Sequence, residues 1–373
     1  METIEYLKSP ELVYKVQTFF GIKRVDSTKQ ASIEKTDKES FTIASKFLHY
    51  FFLFGTELGD ELFYSMFIPF WFWNIDGYVG RRVVLAWAIV MYTGQGIKDI
   101  VRWPRPGYPA VRVQQKWALE YGMPSTHAMV GVSIPFSVLL FTLNRYKYTT
   151  EIGLTFAVLW CLLICVSRVY LGMHTVLDIL AGLALAIILM FPLVPCVNYL
   201  DNYFLTNPMS PILILMSSIL MIVYYPNSEK WTPTRGDTTM IISVTVGLHI
   251  GAWLNYQTGN MSVAELSPPY EIYWPSQYMC LCIIMRMILG LAIIALVLTT
   301  CKRVSYNWLC ALLGQNPDNI KNSENSLDNK HKTFVELSCK FISCAIVGLH
   351  IVYFIPLLFR SLGIERPTFY TEI

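Results

Sequence analysis

The sequence predicts an all-α membrane protein, a polytopic bundle of helices that cross a bilayer. Of its 373 residues, 54% are hydrophobic and only 15% are charged, whereas soluble domains carry nearer a quarter charged residues. Ten apolar stretches approach the roughly 20 residues that a helix needs to cross a bilayer. The formal net charge of +3 is too small to indicate a nucleic-acid partner.

The apolar stretches divide the chain into three parts. Residues 1–42 are polar, but apolar side chains recur at helical spacing over residues 9–22 and predict an amphipathic helix on the membrane surface. Residues 43–195 hold six closely spaced stretches, which we expect to form a six-helix core. Residues 196–373 add about three to four further membrane helices. The candidate spans cover residues 43–58, 62–75, 82–101, 127–143, 151–171, 175–195, 210–225, 238–255, 278–300 and 334–359.

Basic residues between the stretches predict the orientation, because short loops rich in Lys and Arg stay in the cytosol. Arg81 and Arg82 lie between the second and third stretches, and Arg145 and Lys147 lie between the fourth and fifth. These loops and the N-terminal segment are therefore expected to be cytosolic. The connections after the third and fifth stretches then fall on the luminal side.

The connection after the third stretch begins with a basic motif. Lys98 and Arg105 flank the end of that stretch, where Pro104 and Pro106 stop the helix. A guanidinium offers two parallel donors that match two phosphate oxygens. Taken alone, basic residues at the end of a membrane span more often contact lipid headgroups. This motif indicates a phosphate site only in combination with the two motifs described next.

The fourth stretch opens with Pro124, Ser125, Thr126 and His127. Proline and hydroxyl residues before an apolar run indicate a helix start, and the backbone N–H groups of a helix start attract anions. His127 is placed to protonate a leaving alkoxide as a general acid. The alternative is an ordinary helix cap with an incidental histidine.

The junction of the fifth and sixth stretches carries Arg168, His174 and Asp178. His174 and Asp178 are four residues apart and share one face of a helix. A carboxylate that accepts one ring N–H fixes the tautomer and leaves the other nitrogen free to attack phosphorus. The alternative is a polar contact between helices.

Together the three motifs predict a phosphate-ester site at the membrane surface. A phosphomonoester carries about −1.5 to −2 charge at neutral pH, and the three cations Lys98, Arg105 and Arg168 would balance it. No CxxC pair occurs among the nine cysteines, so a zinc site is not expected.

The joint pattern K-x6-RP, PSTH and SR-x5-H-x3-D resembles the signature motifs of the type-2 phosphatidate phosphatase superfamily, whose members are metal-independent lipid phosphatases. The resemblance implies that His174 is the nucleophile, that His127 is the general acid and that Asp178 orients His174. It also implies that phosphate is held by Lys98, Arg105, Ser125, Thr126 and Arg168. Thr126 stands where the family usually has glycine, which narrows the pocket.

The segments KDIVRWPRP and YGMPSTHAM resemble the sphingosine-1-phosphate phosphatases in particular. This resemblance implies hydrolysis of sphingosine-1-phosphate or a related phosphorylated sphingoid base through a phosphohistidine, with no metal or other cofactor. It further implies a location in the endoplasmic reticulum membrane, with the site facing the lumen. No oligomeric state is indicated.

Three alternatives to this function remain open from the sequence. A broader lipid phosphate phosphatase or a polyprenyl diphosphate phosphatase would use the same motifs, because the motif residues bind the phosphate headgroup and do not contact the lipid tail. A transporter or channel could carry a lipid-phosphate site, although transporters place their sites near the bilayer midplane. A catalytically inactive relative would be expected to lack one of the motif residues.

A further group of acidic residues, Glu57, Asp60 and Glu61, lies between the first and second stretches. A phosphorylated sphingoid base carries an ammonium near its phosphate, and a carboxylate beside the basic motifs would recognise it. The alternative is a solvated loop or a salt bridge to a basic residue.

Overall fold

The structure is a computed structural model that describes residues 2–25 and 41–373. It confirms the all-α class, since nearly all regular structure is helical. The strands β1 (Ile22–Arg24) and β2 (Phe41–Ile43) form one short antiparallel ribbon in the described chain.

Helices occupy most of the chain. Those of the N-terminal half are α1 (Glu2–Leu7), α2 (Pro10–Phe19), α3 (Lys46–Glu57), α4 (Glu61–Asn74), α5 (Gly77–Val101), α6 (Thr126–Thr142), α7 (Thr150–Tyr170) and α8 (Val176–Thr206). Those of the C-terminal half are α9 (Ser210–Val223), α10 (Thr234–Gln257), α11 (Gln277–Leu312), α12 (Pro317–Asn322), α13 (Lys330–Leu349) and α14 (Ile355–Ser361). A π-helical segment, His350–Phe354, joins α13 to α14, and a 3-10 turn covers Phe369–Thr371.

Five helical segments of the described chain are long and apolar enough to cross a membrane by themselves: α7, α8, α10, α11 and the continuous rod from α13 to α14. The protein is therefore a multi-pass membrane protein. The main core packs between the N-terminal and C-terminal helices and includes Trp73, Trp87, Met129 and Leu248, each at most 3% exposed.

Contacts between helix ends define two ends of the bundle. At one end the backbone N–H of Ser125, just before α6, donates to the carbonyl of Asp178 in the first turn of α8 at 3.0 Å. At the opposite end Arg81, at the start of α5, pairs with Asp201 near the end of α8 at 2.9 Å. We call these the motif end and the far end.

The first predicted span, residues 43–58, is wrong. This stretch forms α3, whose 12 residues measure about 18 Å, too short to cross. His49 near its start contacts the Tyr170 hydroxyl at 3.4 Å, and Thr56 near its end accepts a hydrogen bond from Arg168. Both contacts lie in the last turn of α7, so α3 stays at the motif end. The region predicted as a six-span core therefore holds six helices, of which α4 to α8 run from one end of the bundle to the other. Of these, α7 and α8 are long and apolar enough to cross a membrane by themselves.

The N-terminal segment also lies at the motif end. The amphipathic helix expected over residues 9–22 corresponds to α2. The Gln17 side chain donates to the carbonyls of Val111 and Tyr170 at 2.7 and 3.0 Å, and accepts from the Val111 N–H at 2.9 Å. A cytosolic N-terminus and luminal motifs, both expected from the sequence, therefore cannot both hold.

The basic residues of the far end are not free loop charges. Arg81 and Arg82 are 3% and 5% exposed, and both pair with Asp201. Arg145 pairs with the buried carboxylate of Asp76. Because buried partners hold these arginines in place, their positions are weaker indicators of orientation than solvated loop charges would be.

Within the described residues the C-terminal half adds three segments that are long and apolar enough to cross a membrane, namely α10, α11 and the rod from α13 to α14, and the shorter apolar helix α9. Helices α10 and α13 approach most closely at two glycines. A Cβ on Gly247 would lie 2.0 Å from the Ala345 carbonyl oxygen, and one on Gly348 would lie 2.3 Å from that of Val244. Small residues at this crossing let the two backbones touch, as is common between membrane helices.

Candidate active site

The ends of four helices, α5 to α8, gather the three motifs at one place. Helix α5 ends with Arg102 in the left-handed region, at φ 56°, and the chain then forms a long loop before α6. Ser125 caps α6, and Thr175 caps α8. The loop and both helix starts face the end of α7, which carries Arg168.

Two of the predicted phosphate-binding cations share a buried carboxylate that sequence reasoning missed. Lys98 Nζ lies 2.7 Å from Glu120 Oε2 and 3.2 Å from Thr126 Oγ1. The Arg105 guanidinium donates to the Glu120 carbonyl at 3.0 Å and lies 3.5 Å from the Glu120 carboxylate. Burial alone would raise the pKa of Glu120, but Lys98 and Arg105 hold that pKa below its ordinary value. Glu120 is thus an anion that fixes both cations.

His174 is enclosed beside these cations. Its Nε2 lies 3.3 Å from an Arg105 terminal nitrogen, and its side chain is 1% exposed. Burial, and then the charges of Arg105, Arg168 and Lys98, hold the pKa of His174 well below its ordinary value. The ring is therefore neutral at pH 7 and keeps a lone pair available for attack.

Asp178 stands on the other side of the His174 ring. Its Oδ2 lies 3.8 Å from His174 Nδ1, beyond hydrogen-bond distance. The same oxygen accepts the Thr175 backbone N–H at 2.8 Å, and Thr175 Oγ1 accepts the Asp178 N–H at 3.2 Å, which makes a capping box at the start of α8. The predicted pair is adjacent, and the carboxylate is fixed by the helix cap.

His127 lies in the first turn of α6, 9% exposed. Its ring packs edge-on against Trp117, with centroids 6.4 Å apart. A Cβ on Gly59 would lie 2.9 Å from His127 Cδ2, so only glycine leaves room for the ring there. His127 Nε2 is buried without a hydrogen-bond partner in the described structure, and His127 lines a cavity that also borders Thr126 and Glu120.

Arg168 is fully buried at the end of α7. One terminal nitrogen donates to Thr56 Oγ1 at 2.5 Å and to Gln114 Oε1 at 3.2 Å. The Nε and the other terminal nitrogen have no partner among the described residues. Unpaired donors on a buried cation are costly, so this guanidinium is suited to an anionic ligand. Thr56 and Gln114, like Glu120, were not identified from the sequence.

Ser125 and Thr126 are buried as expected, but each already has a structural partner. Ser125 Oγ accepts the Ala128 N–H at 3.5 Å as the N-cap of α6, and Thr126 Oγ1 accepts from Lys98. The hydroxyls of Ser125 and Thr126 therefore help to form the walls of the site.

The acidic residues proposed to recognise an ammonium, Glu57, Asp60 and Glu61, differ in burial and in their partners. Asp60, 2% exposed, caps α4 through the Glu61 N–H and pairs with Lys116 at 3.1 Å. Asp60 and Glu61 line the same cavity as His127. Burial, followed by the charge of Asp60, raises the pKa of Glu57. A fourth carboxylate, Asp237 at the start of α10, lines this cavity too and could not be linked to the site from sequence alone.

The site thus brings two imidazoles, His127 and His174, together with three cations and two carboxylates at one end of the bundle. Within residues 2–25 and 41–373 no group of three or more His, Cys, Asp or Glu side chains is arranged to hold a metal ion. The arrangement can bind a phosphate dianion, present a nitrogen nucleophile and supply a proton.

Comparisons with known proteins agree with this chemistry. The model of the PAP2 superfamily matches residues 80–201. Sphingosine-1-phosphate phosphatase 1 of Rattus norvegicus is 34% identical, with 92% of this chain and 79% of the relative covered. Sphingosine-1-phosphate phosphatase 2 of Homo sapiens is 34% identical over 92% of this chain and 85% of its own length.

The similarity extends over nearly the whole chain in a further relative. Sphingosine-1-phosphate phosphatase 2 of Mus musculus is 33% identical, with 97% of this chain and 99% of the relative covered. No solved structure gave a significant match. By the family match and by these relatives, the chain belongs to the PAP2 superfamily, in the group that contains the sphingosine-1-phosphate phosphatases.

Proposed function

We propose that this protein is an integral membrane lipid phosphatase that hydrolyses the phosphomonoester of sphingosine-1-phosphate or a related phosphorylated sphingoid base. The observation that carries the proposal is the buried Arg168 guanidinium, whose unpaired donors lie with Lys98, Arg105 and two histidines in one site. The similarity to relatives named sphingosine-1-phosphate phosphatases supports the choice of lipid.

In the proposed mechanism the phosphate is bound by Lys98, Arg105 and Arg168. Nε2 of neutral His174 attacks phosphorus, and the bond from phosphorus to the lipid oxygen breaks. His127 donates a proton to the departing alkoxide, which leaves as the alcohol. Water then attacks the phosphohistidine, His127 takes the proton from that water, and inorganic phosphate leaves. The three cations stabilise the charge that spreads over the equatorial oxygens.

Asp178 and Glu120 act through other residues in this scheme. Asp178 faces His174 Nδ1 and favours the tautomer with the proton on that nitrogen, so that Nε2 keeps its lone pair. Glu120 holds Lys98 and Arg105 in position to contact the phosphate. No step requires a metal ion, so chelators are expected to leave the activity unchanged.

The acidic residues supply the proposed recognition of the substrate ammonium. Asp60 already accepts the Glu61 N–H at the start of α4 and pairs with Lys116. We therefore assign ammonium recognition chiefly to Glu61. Glu57 does not line the cavity. Asp237 faces the same cavity from α10 and lies within electrostatic range of Glu61, but it already pairs with Lys340 at 3.6 Å, so its part in this role is secondary to that of Glu61. A ligand with an ammonium beside its phosphate would place that ammonium in the cavity that borders His127 and carries Glu61.

Phosphate release over a panel of lipids tests the function. The purified protein should hydrolyse sphingosine-1-phosphate faster than phosphatidate, lysophosphatidate or a polyprenyl diphosphate. Equal rates would favour the broader phosphatase, and binding without release would favour a transporter, a channel or an inactive relative. The position of the motifs at helix ends, away from the bilayer midplane, argues for the enzyme.

We also propose that the protein resides in the endoplasmic reticulum membrane with the motif end facing the lumen. The family resemblance supports this orientation, which places the N-terminal segment in the lumen as well. The acceptor sequence that begins at Asn260 lies at the far end, whereas Glu324→Thr would complete an acceptor that begins at Asn322 at the motif end. Glycosylation should appear only in the Glu324→Thr variant; glycosylation at Asn260 would reverse the orientation.

A further inference from the structure

We infer that the aliphatic tail of the substrate binds in a wedge-shaped cavity between α4 and α11, an inference that rests on the proposed function. The cavity has a volume of about 320 Å³ and begins at His127 and Glu120. Sites that bury a small ligand commonly fall in the range of ~300–1,000 Å³. The cavity is therefore continuous with the reacting phosphate and large enough for part of an alkyl chain.

The wedge shape follows from how α4 and α11 meet. At the far end the two helices touch: a Cβ on Gly290 would lie 2.2 Å from the Trp73 ring, and Arg286 donates to the Trp73 carbonyl at 2.9 Å. Toward the motif end the cavity lies between them, and both Ile68 of α4 and Leu298 of α11 line it. The narrow end is thus closed by protein and the wide end opens at the site.

The lining changes from polar to apolar with depth. The mouth carries Glu61, Asp237 and Lys302. Below the mouth the walls are apolar and come from both halves of the chain: Ile68, Met91, Ile241, Ile294, Val347 and Ile351. Apolar walls favour an alkyl chain in rough proportion to the area that both remove from water. A headgroup at the mouth would direct its tail along these walls.

This assignment gives the C-terminal helices a function. Helices α10, α11 and α13 lie outside the residues matched by the family model, 80–201, yet they supply Ile241, Ile294 and Val347 to the cavity. The family core would supply the phosphate chemistry, and the C-terminal half would supply selection of the tail.

A pair of leucines on α11 offers a matched test. Leu298 lines the cavity, whereas Leu296, two residues away, is 68% exposed on the outer surface. Leu298→Trp should raise the KM for sphingosine-1-phosphate about tenfold, the effect of excluding roughly two methylene groups. The same variant should leave hydrolysis of p-nitrophenyl phosphate, which has no tail, unchanged, and Leu296→Trp should leave both reactions unchanged.

The outcomes separate the inference from the proposed function. Failure of the unaltered protein to hydrolyse sphingosine-1-phosphate would overturn the proposed function itself. If the unaltered protein is active, an equal loss on both substrates in Leu298→Trp, or no change in KM for the lipid, overturns the tail site alone.

A labelling measurement needs no cavity-filling variant. Cys344 lines the cavity, whereas Cys196 is exposed on α8. In the full-length His174→Ala protein, which should bind but not cleave, sphingosine-1-phosphate should slow modification of Cys344 by N-ethylmaleimide about tenfold. Inorganic phosphate should not slow it, and Cys196 should react equally in every case. Equal rates for Cys344 with and without the lipid would contradict the tail site.

Discussion

Glu120 and Lys98 form a buried ion pair at the centre of the site, with 2.7 Å between Oε2 and Nζ and side chains 5% and 1% exposed. The same carboxylate lies 3.5 Å from Arg105. Two cations that must both face one phosphate repel each other, and an anion behind them offsets that repulsion. Glu120 is therefore a positioning residue for phosphate binding.

Glu120→Gln should lower kcat/KM for sphingosine-1-phosphate at least tenfold, because Lys98 and Arg105 lose their shared carboxylate. Removing one partner of a buried ion pair also costs about 3–5 kcal/mol of stability. The kinetics should therefore be measured on protein whose thermal unfolding has been followed in parallel. Glu324→Gln, an exposed change at the same end of the bundle, is the control. Activity in Glu120→Gln equal to that control would contradict the positioning role.

His127→Ala should slow the reaction in proportion to how poor the leaving group is. The lipid alkoxide needs a proton as it departs, whereas p-nitrophenolate departs without one. We expect a loss of about 10²–10⁴-fold for sphingosine-1-phosphate and a much smaller loss for p-nitrophenyl phosphate. The ratio of the two kcat/KM values measures this effect. A loss of the same size for both esters would assign His127 to binding and not to proton transfer.

The pH dependence should reflect a neutral His174. Its pKa is held well below the ordinary value by burial and by Arg105, Arg168 and Lys98. Attack requires the deprotonated ring, so a lowered pKa preserves activity as the pH falls through 6.5. The second ionisation of the phosphate near pH 6 adds its own limb. We therefore expect the acid side of kcat/KM to follow the phosphate ionisation near pH 6 alone, with no additional limb from His174. An acid limb with its midpoint at or above pH 6.5 would show that His174 titrates as an ordinary histidine.

The carboxylates at the cavity mouth should set the preference for an ammonium. Glu61→Gln is expected to lower the ratio of kcat/KM for sphingosine-1-phosphate over lysophosphatidate by about fivefold, one charge interaction near a protein surface. Asp237→Asn should lower the same ratio by a smaller factor, because Asp237 also pairs with Lys340. Asp60→Asn should instead lower thermal stability, because Asp60 caps α4 and pairs with Lys116. An unchanged preference in both Glu61→Gln and Asp237→Asn would leave ammonium recognition without support.

The sequence predicted those site residues that stand in short local patterns. His174 and Asp178 are four residues apart, and Ser125 precedes an apolar run, so neighbours in the chain indicated their place. The reason given for the first pair was wrong, because α8 begins at Val176 and His174 lies just before its N-cap, Thr175, and not on a shared helical face. Glu120 and Asp237 had no such signal, because each is a single carboxylate that tertiary packing brings to the site.

The error over α3 has a similar cause. Residues 43–58 are apolar enough to suggest a span, but composition does not reveal where the two ends of a helix are held. The contacts of His49 with Tyr170 and of Thr56 with Arg168 keep α3 at the motif end. Without those long-range contacts the N-terminal segment could only be assigned to the wrong end.

The most direct test of the account is to trap the phosphoenzyme. Purified protein should be mixed with sphingosine-1-phosphate labelled in its phosphate, quenched in alkali and analysed for label bound to the chain, because phosphohistidine is stable to alkali. The account predicts label on His174 in the unaltered protein and none in His174→Ala, together with loss of turnover. Turnover that persists in His174→Ala, or label on another residue, would contradict it.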